Sequence, residues 1–313
     1  MKKIMAMVLV VLLVSILGGC GQKATEKPAK LQELTIGTMP DVDSIPFIIA
    51  QEKGYFKEEG LTINIKPFKS AMDRDSALQS GNLDGAISDM LAVAFAKAGG
   101  FDVKITSLTS GSYKLVAAKD IGDASILSLK GKDVAVSKNT IIEYVTDRIL
   151  ATNSLDSNSI NKVVIPQIPT RLEMLQSGKL AAATLPEPMA SIAISKGCKL
   201  VNSSDQLEIN PGILLFTNKA IGTKSAEIKA MYRAYNRAVA YLEQEPQEKY
   251  IDLLIEKGGF PPTVKGALEL PKYKKAVLPS EKDVQECVDW LTEKSLIKQN
   301  YSYKDLVDTK LLE

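Results

Sequence analysis

The chain has 313 residues, 39 of them Lys or Arg and 37 Asp or Glu, and it contains no histidine. That near-balance excludes the basic excess on which nucleic-acid binding depends. The missing histidine excludes Ser-His-Asp and Cys-His catalysis and removes the commonest metal ligand.

The N-terminus sets the compartment. Met1-Lys2-Lys3 is a short basic start, Ile4 to Leu17 is almost purely apolar, and Leu17-Gly18-Gly19-Cys20 follows. An apolar run of roughly 14 residues is too short to span a bilayer core of about 30 Å, and it has the charge order of a secretory signal. The small residues ahead of Cys20 resemble a lipobox, in which the cysteine is lipidated and becomes the mature N-terminus. Residues 1–19 are therefore expected to be a lipoprotein signal peptide. Residues 20–32, polar and with little to bury, are expected to tether the lipid to the folded body. The signal carries two lysines and no acid, so 37 bases (39 − 2) then face 37 acids. Beyond Cys20 only Cys198 and Cys287 remain, without metal-ligand spacing, and each reads as a small buried apolar residue.

The body exceeds the usual single core, so two lobes are expected. Leu34–Gly37, Leu61–Lys66, Gly85–Ser88, Val103–Leu108 and Tyr113–Ala118 read as strands. Between them Ile45–Lys53, Ala71–Ser80 and Met90–Ala98 have helical spacing. Ser70 with Asp73 marks a helix start, and Gly54 and Gly81 mark stops. Then come a strand at Asp133–Val136, a helix at Thr140–Ala151, a strand at Lys162–Ile165, a helix at Arg171–Gln176 and a strand at Ala181–Leu185. Ile213–Thr217 is a further strand. Helical patterns at Lys224–Glu243, Gln247–Lys257, Glu281–Lys294 and Tyr303–Val307 complete the chain. Such alternation implies α/β lobes with mostly parallel sheets covered on both faces. Leu78-Gln-Ser-Gly-Asn-Leu83 recurs as Leu175-Gln-Ser-Gly-Lys-Leu180, at an offset of 97 residues (175 − 78). Each copy ends a helix and feeds a short strand, as two related lobes would. Residues 33–116 with 216–313 are expected to form one lobe and residues 117–215 the other. Hinge strands near Leu115–Ala118 and Ile213–Phe216 would join them.

In open α/β sheets a ligand binds outside the carboxyl ends of the strands. The loops there nominate Met39, Asp41, Asp43 and Ser44, then Ser88 and Asp89, Ser110 and Ser112, and Ser137, Asn139 and Thr140. Glu187, held between Pro186 and Pro188, joins them. Plainer roles compete: Ser88 and Thr140 as helix caps, Asp41 and Asp43 as turn formers, Glu187 as structural. Tyr55, Phe56 and Trp290 read as core. None of these loops carries an arginine. Arg74, Arg148 and Arg171 fall in helices, although Arg171, near a helix start, has reach toward the cleft. No metal site and no cofactor are expected.

Three segments carry a family resemblance: Ile36-Gly-Thr-Met-Pro40 with Ile45-Pro-Phe-Ile-Ile-Ala-Gln-Glu-Lys-Gly-Tyr-Phe-Lys-Glu-Glu-Gly-Leu61; Leu78 to Ala86; and Leu185-Pro-Glu-Pro-Met-Ala190. With these the chain resembles the type 2 solute-binding proteins of ABC importers, in the branch serving thiamine pyrimidines, alkanesulfonates, taurine and nitrate. The resemblance implies a two-lobe periplasmic-binding-protein type 2 fold with hinge strands and a helical C-terminal segment. It also implies a small-molecule solute in the cleft, delivered to an ABC permease and its ATPase. A monomeric, extracytoplasmic, lipid-anchored protein without enzymatic activity is expected. Rival functions are an enzyme on the same fold, of the menaquinone-pathway or fungal pyrimidine-synthase kind, and a sensor lipoprotein. The fungal type depends on histidine, which this chain lacks. The loop acids Asp41, Asp43, Asp89 and Glu187 outnumber Lys138, so the expected ligand is a neutral or weakly basic heteroaromatic compound such as a thiamine-type aminopyrimidine. A sulfonate or another small organic anion is the runner-up.

Overall fold

A computed structural model describes residues 31–312; Cys20, the signal segment and most of the tether lie outside them. The chain opens with β1 (Leu34–Thr38), α1 (Ile45–Glu52), α2 (Tyr55–Glu58), β2 (Ile63–Pro67) and α3 (Ala71–Gln79). It continues through β3 (Gly85–Asp89), α4 (Met90–Ala98), β4 (Val103–Leu108) and β5 (Tyr113–Ala117). The middle of the chain gives β6 (Asp133–Val136), α5 (Ile141–Ala151), β7 (Asn161–Val164), α6 (Ile168–Gln176), β8 (Ala182–Pro186), α7 (Met189–Ser195) and β9 (Lys199–Ser203). β10 (Gly212–Thr217) follows, then α8 (Asn218–Thr223), α9 (Ser225–Gln244), α10 (Ile251–Gly258), α11 (Glu281–Glu293) and α12 (Tyr303–Leu306). Among the described residues no helix is long and apolar enough to cross a membrane.

The strands form two five-stranded sheets, ordered β2-β1-β3-β10-β4 and β7-β6-β8-β5-β9. In each, three parallel strands meet an antiparallel fourth, β10 or β5, so the two sheets share one design. The match extends to the residue. α3 and β3 recur as α6 and β8 at an offset of 97 (168 − 71 and 182 − 85), with equal lengths. The short sequence echo is thus the visible part of a whole αβ unit repeated in each lobe.

The chain crosses between the sheets twice, between Leu108 and Tyr113 and again between Ser203 and Gly212. β5 pairs with β8 and β9, so Tyr113–Val116 belongs to the second sheet rather than to the first lobe, where the sequence reading placed it. All five of its residues are buried, and a strand buried on both faces does not say which sheet it joins. β9, α2, α7 and α8 are elements that the sequence pattern did not separate from their surroundings.

Alternate residues of the central strands feed two buried apolar clusters on opposite faces, as the two-residue period of a strand requires. In β10, Leu214 and Phe216 enter one cluster, and Ile213 and Leu215 the other. Helix α9 lies over α1, with Phe47 and Tyr235 rings 5.3 Å apart. Gly85 permits the β3–β10 approach, because a Cβ there would lie 2.5 Å from the Leu215 carbonyl oxygen. α3 starts as its sequence predicts. Asp73 N–H donates to Ser70 Oγ at 3.2 Å, and Ser70 Oγ donates to Asp73 Oδ2 at 2.7 Å.

The C-terminal helices join the lobes at the back. α11 packs on α4 of the first lobe and turns its other face to α5 of the second. There Lys294 Nζ sits 2.9 Å from Glu143 Oε1 and 2.7 Å from Asp147 Oδ2, and the Trp290 indole donates to Asp147 Oδ2 at 3.2 Å. Tyr144 stacks edge-on against Trp290, with centroids 5.7 Å apart. This contact fixes α5, the helix whose N-terminus faces the cleft.

Candidate ligand-binding site

A cavity of about 40 Å³ lies between the lobes, at the carboxyl ends of β1, β3, β6 and β8. The first lobe contributes Met39, Asp41, Arg74, Ser88 and Asp89; the second contributes Ser137, Thr140, Arg171 and Pro186, with Tyr113 beside the crossing. Its front is bridged by backbone and side chain. Ile168 N–H donates to the Lys69 carbonyl at 3.1 Å, and Gln167 Nε2 to Asp73 Oδ2 at 3.0 Å.

Helix starts shape the two walls. Asp89 caps α4, accepting from Ala92 N–H at 2.9 Å, and its other oxygen is 3.4 Å from Ile141 N of the opposite lobe. Thr140 caps α5 by accepting from Ile142 N–H at 3.2 Å. The expected capping roles of Ser88 and Thr140 thus divide. Thr140 caps, whereas Ser88 Oγ is buried and without a hydrogen-bond partner.

Of the residues nominated from sequence, Met39, Asp41, Ser88, Asp89, Ser137 and Thr140 line the cavity. The others do not. Asp43 is buried behind the loop, with Tyr113 Oη donating to its Oδ2 at 3.3 Å. Ser44 Oγ donates back to the Asp41 carbonyl at 2.7 Å, which locks the turn. Ser110 lines a separate surface hollow, and Ser112 Oγ donates to Asp205 Oδ2 at 2.5 Å. Asn139 has φ +58° and borders a neighbouring hollow. Glu187 is fully buried beneath the cavity loops, 2.5 Å from Lys114 Nζ, and accepts from Ser191 Oγ at 2.8 Å. Its charge is balanced inside the protein, so it adds nothing to the acidity of the cleft.

Two basic residues of the cavity were not nominated from sequence: Arg74 was read as a helix residue only, and Arg171 was credited with reach toward the cleft but not placed in the site. Arg74 and Arg171 are 3% and 1% exposed, each on the fourth residue of its helix, and they stand 97 residues apart (171 − 74). The repeat is therefore longer than the Leu-Gln-Ser-Gly echo: Arg-x-x-x-Leu-Gln-Ser-Gly-x-Leu occurs at 74–83 and 171–180. That extension was the available signal. The copies differ in how they are neutralised. Arg74 donates through Nε to Asp75 Oδ1 at 2.8 Å and through Nη1 to the Ile87 carbonyl at 3.1 Å. Arg171 reaches only carbonyls, of Ile165 at 2.8 Å and Pro166 at 3.2 Å.

The titration of these groups follows from burial. Burial and the neighbouring Asp43 raise Asp41 well above the usual carboxylate range, against the pull of Arg74. Burial raises Asp43 to about 6, opposed by hydrogen bonds from Thr109 and Tyr113. Burial also raises Asp89, with Arg74 opposing. Arg171 falls to about 10 through burial alone, because no acid stands near enough to hold its charge.

The sequence model of one family, described as NMT1/THI5 like, matches residues 41–249, two-thirds of the chain. The chain belongs to the NMT1/THI5-like family. A protein of Brachyspira hyodysenteriae, described as an ABC transporter periplasmic binding protein, is 24% identical over 270 residues, covering 80% of this chain and 77% of its own. A 4-amino-5-hydroxymethyl-2-methylpyrimidine phosphate synthase of Saccharomyces cerevisiae is 37% identical over only 93 residues, 29% of this chain and 27% of its own. Among solved structures, the alkanesulfonate-binding protein of Xanthomonas axonopodis pv. citri bound to MOPS superposes with a TM-score of 0.77 at 19% identity, covering 90% of this chain and 99% of its own. The periplasmic nitrate-binding protein of Synechocystis PCC 6803 gives 0.75 at 12% identity, covering 90% and 88%. These likenesses establish the two-lobe periplasmic-binding-protein architecture for this NMT1/THI5-like chain.

Proposed function

We propose that this protein is the extracytoplasmic solute-binding component of an ABC importer, lipid-anchored through Cys20 and tethered by residues 20–32. The observation that carries this is the cavity between the lobes, lined from both sides by buried polar groups that have no partner within the protein. Small-molecule sites span about 300–1,000 Å³, so a cavity of about 40 Å³ admits a solute only when the lobes part. The hinge is the pair of crossings at 109–112 and 204–211, with the Gln167–Asp73 and Ile168–Lys69 bonds breaking as the front opens. The permease then distinguishes loaded from empty protein by the contacts each conformation offers. No chemical step is assigned to the site, and the chain without histidine is a carrier.

The solute is a small amine-bearing heteroaromatic compound, with a thiamine-type aminopyrimidine as first candidate. Asp41, with an unpaired Oδ1, is the acceptor that favours it. The unpaired guanidinium of Arg171 favours a second candidate, a small organic anion such as an alkanesulfonate. A thermal-shift screen of the full chain in mild detergent separates them. A ligand at about 100 times its Kd adds about 2.7 kcal/mol of stability. Stabilisation by an aminopyrimidine and not by an alkanesulfonate or nitrate is the expected outcome; the reverse pattern overturns the assignment.

A further inference from the structure

The cavity holds four buried acidic and basic side chains, and two of them are satisfied within the protein. Arg74 is paired with Asp75 and the Ile87 carbonyl, and Asp89 is taken up in capping α4. Two are left over. Asp41 Oδ1 on the first lobe has no hydrogen-bond partner, and neither do Arg171 Nε and Nη2 on the second. Asp41 and Arg171 are 5% and 1% exposed and do not pair with one another. A buried polar group left without a partner is costly, more so when it is charged, and native proteins rarely retain one unless something else satisfies it.

The repeat supplies an internal comparison. In the first lobe the residue after the arginine is Asp75, which provides the counter-ion; in the second lobe the same position is Leu172. The two helices have equal length and the arginines occupy the same turn. The second copy therefore keeps the buried guanidinium and lacks the carboxylate that balances it. Three of its five guanidinium N–H donors, one on Nε and two on Nη2, have no hydrogen-bond partner, which leaves a planar fork matched to a carboxylate or similar anion.

We propose that the solute is bipolar, an amino-substituted heterocycle that also carries an anionic group, its N–H donors meeting Asp41 on the first lobe and its anion meeting the Nε–Nη2 edge of Arg171 on the second. This rests on the aminopyrimidine assignment above and extends it. A solute of this kind satisfies both leftover groups at once and does so only when both lobes surround it. A purely anionic solute leaves Asp41 buried beside it, and a purely basic one leaves Arg171 uncompensated.

The test uses the full chain in detergent and isothermal titration of three probes. They are an aminopyrimidine carboxylate, the same aminopyrimidine with hydroxymethyl in place of carboxylate, and the pyrimidine carboxylate without its amine. The first is expected to bind roughly 10- to 100-fold more tightly than either of the others, the gain of a hydrogen bond to a charged group. Arg171→Lys, which keeps the charge but loses the fork, is expected to shrink the preference for carboxylate over hydroxymethyl, whatever it does to the affinity for either compound alone. Equal or tighter binding of the hydroxymethyl compound overturns the anionic half of the proposal and leaves the aminopyrimidine assignment standing. Equal binding of the amine-free carboxylate overturns the Asp41 half. Failure of both aminopyrimidines to bind removes the assignment and the proposal together. The probe series on the unmodified protein decides the matter even if the variant does not fold.

Discussion

Replacing Glu143 with Gln tests whether the back of the second lobe is held by charge. Glu143 Oε1 lies 2.9 Å from both Lys162 Nζ and Lys294 Nζ, and Oε2 accepts from Asn139 N–H at 2.7 Å. Burial alone would raise this carboxyl. The Asn139 N–H and the two ammonium groups win, and bring it from 4.5 to about 2. At about 1.4 kcal/mol per unit, the preference for the ionised form has an upper bound of about 3 kcal/mol. Asp147 shares both lysines, and the ammonium groups are partly exposed, so about 1–2 kcal/mol is expected at pH 7. With a urea slope near 3 kcal/mol/M, the unfolding midpoint of Glu143→Gln falls by roughly 0.5 M. The sign with pH is fixed by the depressed folded value. The contribution is complete above the unfolded value near 4.5 and disappears as pH falls toward 2. Urea titrations of both proteins at pH 7, 5, 4 and 3 should therefore converge at the acid end. Equal midpoints at pH 7, or curves that stay parallel to pH 3, would refute the ion-pair account.

Asp43 titrates in the opposite sense. Its folded value near 6 exceeds the unfolded one, so the ionised form costs stability above pH 6 and the cost fades toward pH 4. Asp43→Asn is expected to be about 1–2 kcal/mol more stable than the parent at pH 7 and equal to it at pH 4, by urea titration. Gly85→Ala forces a Cβ against the Leu215 carbonyl and the Phe216 ring in the centre of the first sheet; a loss of about 3 kcal/mol or more in the same assay is expected. Cys20→Ala should release the protein from the membrane fraction of a bacterial host or leave it as uncleaved precursor; unchanged mature size and membrane retention would count against lipidation. Small-angle scattering should show a smaller radius of gyration at saturating ligand, and identical curves would exclude closure of the lobes.

Most strands were legible because glycine and proline punctuate them, and Met90–Ala98 stood out as an apolar run bounded by Asp89 and Gly99. Helix α7 was not legible: Met189–Ser195 is small and apolar on most sides and begins after Pro188 without a side-chain cap. The acidic half of the cavity was visible because loop carboxylates at strand ends are conspicuous. The basic half was legible only in part: Arg171, near a helix start, had reach toward the cleft, but Arg74 sits inside a helix, where a long charged side chain ordinarily marks a solvated face. Glu187 shows the converse error. A carboxylate in a stiff loop suggested ligand contact, but Lys114, one strand away and unremarkable in sequence, consumes it.

The place of β10 bears on how the chain is made. It lies inside the first sheet, between β3 and β4, yet arrives about a hundred residues after β4. The second sheet, by contrast, is continuous from β5 to β9. A chain emerging N-terminus first therefore completes its second lobe while the first still has an open slot between two apolar strands. During that interval β3 and β4 present unpaired edges to their surroundings. The first lobe closes last, and every new copy passes through a stage in which half the protein is finished and the other half is waiting for its centre.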